Sequence, residues 1–131
     1  MADRDTTALL AVQVVEQDAG TVIVQLTGEI DISSAEILVD QFRAISAQRL
    51  ENVILDATRV SFIDSTGLHA LTEGKRMIHA EGTSLFLVPS RQVKRVLELV
   101  FPEPLFAVRV DTLQEALALI SPPPADPIPG S

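Results

Sequence analysis

The sequence predicts one α/β domain, a mixed and mostly parallel five-stranded sheet packed with four helices. Three observations carry this prediction. Short apolar runs rich in Val and Ile alternate, from Val22 onward, with stretches of helical apolar period. The first two runs are separated by the turn residues Asp18-Ala19-Gly20, so they form a hairpin. A chain of 131 residues with 47% apolar content is long enough to bury a single core. Strands joined through helices need right-handed crossovers and pair in parallel, which leaves the first strand as the antiparallel one.

The elements follow in order. Residues 9–15 and 22–26 read as the hairpin strands. After Gly28-Glu29-Ile30-Asp31, Ser33 stands three residues before Glu36, the spacing of a capping box. Ala35, Leu38, Val39, Phe42 and Ile45 then recur at helical intervals, which predicts a helix over 34–48. Asn52-Val53-Ile54-Leu55-Asp56 has the pattern of a strand buried on both faces with its carboxyl end at Asp56. Val60-Ser61-Phe62-Ile63 leads into Asp64-Ser65-Thr66-Gly67, and Leu68, Leu71, Lys75 and Ile78 keep helical spacing up to a glycine stop at Glu81-Gly82.

Residues 84–88 form another buried strand. Pro89-Ser90 caps a helix whose Val93, Val96, Leu97 and Val100 form one stripe, expected to cover one sheet together with the Leu38, Val39, Phe42 stripe. Residues 106–110 are the last strand, and Thr112 with Glu115 makes a capping box before Leu113, Ala116, Leu117 and Ile120. The domain thus spans 9–120, after an N-terminal extension over 1–8. A tail over 121–131, in which five of eleven residues are Pro, is expected to be disordered.

Composition closes several functional classes. The net charge is −8, with 4 basic and 12 acidic side chains in residues 1–74, which opposes binding to nucleic acid or anionic membrane. No Cys is present, so disulfides, thiolate metal sites and cysteine nucleophiles are out, and with no Trp or Tyr there is little to stack bases on. The polar start of the chain carries no leader-like or membrane-spanning run, which points to the cytoplasm. Nothing matches a Walker lysine motif, H-E-x-x-H or G-x-G-x-x-G, so no cofactor or metal is expected.

The most informative stretch is Phe62-Ile63-Asp64-Ser65-Thr66-Gly67-Leu68, where a hydroxyl and a carboxylate stand at a strand-to-helix transition. Free backbone amides and the positive end of the helix dipole gather there, so a phosphate on the serine could be accommodated. The plainer reading makes Asp64 or Ser65 an N-cap, the commonest use of such residues. His69, four residues on, invites a serine hydrolase reading, but Ile63 stands where a nucleophile elbow needs Gly, and a surface or packed helix residue is the simpler role. Asp56 could be compared with a receiver-domain phosphoacceptor, yet Arg109 and Asp111 stand where such a domain has a lysine. Arg91, Lys94 and Arg95 are a solvated basic face or a contact for an acidic partner.

Two motifs make the chain resemble the STAS domains of anti-sigma factor antagonists over about residues 9–120. Asp64-Ser65-Thr66-Gly67-Leu68 is similar to the family signature D-S-[ST]-G-[LI], and Gly28-Glu29-Ile30-Asp31 to its G-E-[LI]-D. The resemblance implies a STAS-like fold and a non-enzymatic role. The unphosphorylated protein would bind an anti-sigma factor that is also a serine kinase and so release a sigma factor. Phosphorylation at Ser65 would end that interaction and a serine phosphatase would restore it. Asp31, Asp64, Thr66 and Gly67 would belong to the partner-binding surface, while nucleotide and Mg²⁺ would sit on the kinase. The alternative is a STAS subunit docked on a membrane transport ATPase, its serine serving only as a cap.

Overall fold

Strand order in the sheet follows chain order. The computed structural model describes residues 10–100 and 108–120, and in it β1 (Leu10–Asp18), β2 (Thr21–Ile30), β3 (Asn52–Ile63), β4 (Ser84–Pro89) and β5 (Val108–Arg109) lie side by side as β1-β2-β3-β4-β5. β1 pairs antiparallel with β2 and every later pair is parallel. The sheet has the expected five strands, of which the fifth is described over Val108–Arg109. The start of that fifth strand, the N-terminal extension and the Pro-rich tail lie outside the described residues.

The helices are α1 (Ala35–Ser46), α2 (Ser65–Ala80), α3 (Arg91–Val100) and α4 (Leu113–Ile120). Each crossover steps to the next strand in the same direction, so right-handedness places α1, α2 and α3 on one face. Burial agrees. Val22, Val24, Leu26, Val53, Leu55, Leu85 and Leu87 form one core with Leu38, Phe42 and Ile45 of α1, Leu71 and Ile78 of α2, and Val93 and Leu97 of α3. The alternate strand residues Ile23, Ile54, Phe86 and Val88 face the other way and meet α4 through Ala116, Leu113 and Leu117. The stripes of α1 and α3 therefore cover the one sheet as expected, and they do so on the same face, except that Val100 is 51% exposed.

Three local readings are corrected. β3 does not end at Asp56 but continues to Ile63, because it carries two extra residues relative to β2, one between Asp56 and Arg59 and one between Val60 and Phe62. Asp56 supports the first irregularity by accepting from the Thr58 hydroxyl at 2.7 Å, and the Ser61 hydroxyl supports the second by donating to the Gly28 carbonyl at 3.3 Å. Gly28 has a φ of 118°, a conformation that L side chains resist. The Ser33–Glu36 capping box is absent: Ser33 turns to Asp31 instead, and Ser34 is the N-cap residue without a side-chain bond to the helix. In the last helix the Thr112 hydroxyl accepts from the Glu115 amide at 3.1 Å, but Glu115 reaches the amide of Asp111 rather than that of Thr112.

Candidate functional site

Two adjacent parallel strands, β2 and β3, end at the same edge of the sheet, and their following segments meet at the carbonyl of Ile30. That carbonyl accepts from the Asp64 amide at 3.2 Å. Gly67 packs directly on it: a Cβ at position 67 would run into Ile30 O, and would lie 2.8 Å from Ile30 Cγ2 and 2.9 Å from Ile63 Cγ1. Only a residue without a side chain lets the first turn of α2 lie this close to β2.

Asp64 leaves the strand in an extended conformation, and its carboxylate accepts from the Gly67 amide at 2.9 Å, making it the N-cap. Ser65 is thereby relieved of capping. It is the first residue of α2, it is exposed, and its hydroxyl makes no hydrogen bond among the described residues. Thr66 is half-buried beside it and Gly67 is buried. The amides of Ser65 and Thr66 belong to the first helical turn, which has no intrahelical acceptors.

The β2–α1 loop is knotted by side chains. Ser34 is fully buried, donates to the Glu29 carbonyl at 2.7 Å and accepts from the Asp31 amide at 3.0 Å. The Asp31 carboxylate accepts from the Ser33 hydroxyl at 2.6 Å and the Ser33 amide at 2.9 Å. The Ser33 hydroxyl, partly opposed by desolvation and assisted by the amides of Ser33 and Ser34, holds the Asp31 carboxyl below its ordinary 3.8. The structure thus brings Asp31, Asp64, Ser65, Thr66 and Gly67 to one end of the sheet. It adds two side chains that patterning does not reveal: Ile32 is 77% and Phe62 47% exposed at that same end.

Other candidates stand apart. Asp56 lies mid-strand with its carboxylate turned to Thr58, in a shallow depression shared with Gln25, Arg59 and Leu113. Arg91, Lys94 and Arg95 are exposed on α3, and Lys94 reaches Asp111 at 3.7 Å. His69 is exposed one turn beyond Ser65, and the two line an open hollow of about 350 Å³ with Leu68, Thr72 and Val100. Among the described residues no helix is long and apolar enough to cross a membrane.

The family model for the STAS domain matches residues 12–101. Among solved structures, an anti-sigma factor antagonist from Mycobacterium paratuberculosis is 25% identical, with a TM-score of 0.74 over 85% of this chain and 93% of that one. The anti-sigma factor antagonist SpoIIAA in its unphosphorylated form, a Bacillus protein, is 25% identical with a TM-score of 0.65, covering 84% and 97% of the two chains. The fold is also found in the murine Slc26a9 anion transporter, 22% identical over 85% of this chain but 21% of that much longer protein, with a TM-score of 0.67.

Proposed function

The chain belongs to the STAS domain family, and on that footing we propose that it is an anti-sigma factor antagonist switched by phosphorylation of Ser65. In its unmodified form it binds an anti-sigma factor with serine kinase activity and frees a sigma factor. The observation that carries the reading is the division of labour at the start of α2. Asp64 supplies the cap, so Ser65 presents a hydroxyl whose modification breaks no hydrogen bond among the described residues.

In the transfer step the Ser65 oxygen would attack the γ-phosphorus of ATP bound to the kinase. An O–P bond forms, the bond to the ADP oxygen breaks, and the hydroxyl proton passes to a base on the kinase. The product carries about 1.5 to 2 more negative charges at a helix start. Within this chain the unpaired amides of the first turn and the helix dipole tolerate that charge. Asp31 and Asp64 at the same end oppose it, and so does a partner surface fitted to a neutral hydroxyl. A loss of about 1.4 kcal/mol already means tenfold weaker binding. Asp31, Asp64 and Thr66, with the apolar Ile32 and Phe62, form the docking surface, and Gly67 contributes by holding α2 against Ile30.

Similarity to SpoIIAA, an anti-sigma factor antagonist known in an unphosphorylated form, supports this reading. The test is incubation with the cognate anti-sigma kinase and ATP, followed by phosphosite mapping and calorimetric affinity. Phosphate should map to Ser65 and weaken binding at least tenfold, and Ser65→Ala should bind with or without ATP. Phosphate on Thr66 instead, or equal affinities of the modified and unmodified proteins, overturns the switch. An unmodified Ser65 together with no binding to any anti-sigma factor favours the docked transport subunit.

A further inference from the structure

The exposed face of α2 carries a row of side chains one turn apart. Ser65, His69 and Glu73 stand at successive i, i+4 positions, about 6 Å of helix rise apart, and Arg76 follows three residues later. Glu73 accepts from the Arg76 guanidinium at 2.8 Å. Its carboxyl is held below the ordinary 4.5 mainly by that bond, with a further electrostatic contribution from His69. The row thus sets a cation at Arg76, an anion at Glu73 and an imidazole at His69 behind Ser65 at its head.

Helical side chains lean toward the N-terminus of their helix, which carries His69 over Ser65 and Glu73 over His69. Ser65 and His69 line the same hollow, and among the described residues their neighbours there, Leu68, Thr72 and Val100, bring no charge. Among the described residues Glu73 is thus the charged group next to His69 on α2, and α3 contributes only the apolar Val100 to that hollow.

We propose that His69 is the phosphate-binding residue of the modified state: its imidazolium pairs with a phosphate on Ser65 and completes the alternating row of α2. The phosphate would carry about twice the charge of the Glu73 carboxylate, which is already shared with Arg76. It therefore draws the imidazolium from Glu73 toward the helix start.

This inference rests on Ser65 as the modified residue, so the test bypasses the kinase by installing phosphoserine at position 65 during translation. Phosphorus NMR then follows the second ionisation of the phosphate, ordinarily near about 6, in the phosphorylated full-length chain and in its His69→Gln and His69→Lys variants. With His69 present the midpoint should lie about half a pH unit or more below that of His69→Gln. The difference should shrink in about 1 M salt. His69→Lys, which keeps a cation, should restore the lower midpoint. Equal midpoints for His69 and His69→Gln overturn the proposal, and so does a failure of His69→Lys to restore it. Neither result touches the kinase assay above, whose failure would in turn leave this titration standing.

Discussion

At the residue scale, the start of α2 gives separate roles to Asp64 and Ser65, which are equivalent N-cap candidates in sequence, and to Gly67. Asp64 caps, Ser65 makes no side-chain hydrogen bond among the described residues, and Gly67 makes room. Asp64→Ala should therefore cost about 1 kcal/mol, whereas Ser65→Ala should stay within about 0.5 kcal/mol, and urea unfolding of the two variants checks the difference. Gly67→Ala should cost more, about 1 to 3 kcal/mol, because the added methyl meets a backbone carbonyl that cannot rotate away. Asp31 supplies a pH-dependent counterpart. Its carboxyl is held below 3.8, so its hydrogen bonds to Ser33 stabilise the loop above that pH and are lost as pH falls through the lowered value. Ser33→Ala should move the Asp31 carboxyl upward in a carbon NMR titration, and an unchanged midpoint would remove the hydroxyl as the cause. The motif was legible at this scale because Asp, Ser and Gly are capping and turn residues by chemistry. The reason for Gly67 was not, since the atom it must clear belongs to Ile30 on another strand.

At the element scale, α1 and α2 are fitted to each other by one pair. The Phe42 ring is fully buried and lies where a Cβ on Gly74 would be, in direct conflict with three of its carbons. Phe42→Ala should cost about 3 to 5 kcal/mol. Gly74→Ala should also destabilise, by about 1 to 2 kcal/mol, although alanine is the better helix former. The double variant should cost clearly less than the two together, because the new methyl enters the space the ring vacates. Additive losses in denaturant melts would show that the two positions do not share that space. Element existence and type were legible from period, and the glycine stop of α2 is seen at Gly82, whose φ is +78°. The length of β3 was not, because its two extra residues interrupt the alternation that reveals a strand. Nor was the end of α1, where Arg49 adopts a φ of 55° in the absence of a glycine.

At the scale of the whole molecule, the two faces of the sheet are covered unequally. Three crossover helices share one face, and on the other, among the described residues, α4 is the helix that covers Ile23, Ile54, Phe86 and Val88. The sequence predicts the order of elements along the chain and a mostly parallel sheet, whereas the spatial order of the strands and the side that the final helix takes emerge only in the folded molecule. Ending the chain before Leu113 should therefore leave an apolar strip in water and give a protein that binds a hydrophobic dye and associates, whereas a monomeric, dye-silent product would show that α4 is dispensable. The asymmetry also bears on biosynthesis. Each βαβ unit is local, so the sheet can extend strand by strand as the ribosome releases it, with little delay from distant contacts. The face that awaits α4, however, stays uncovered until nearly the last described residue has emerged, which makes that interval the time at which a nascent chain most needs a chaperone.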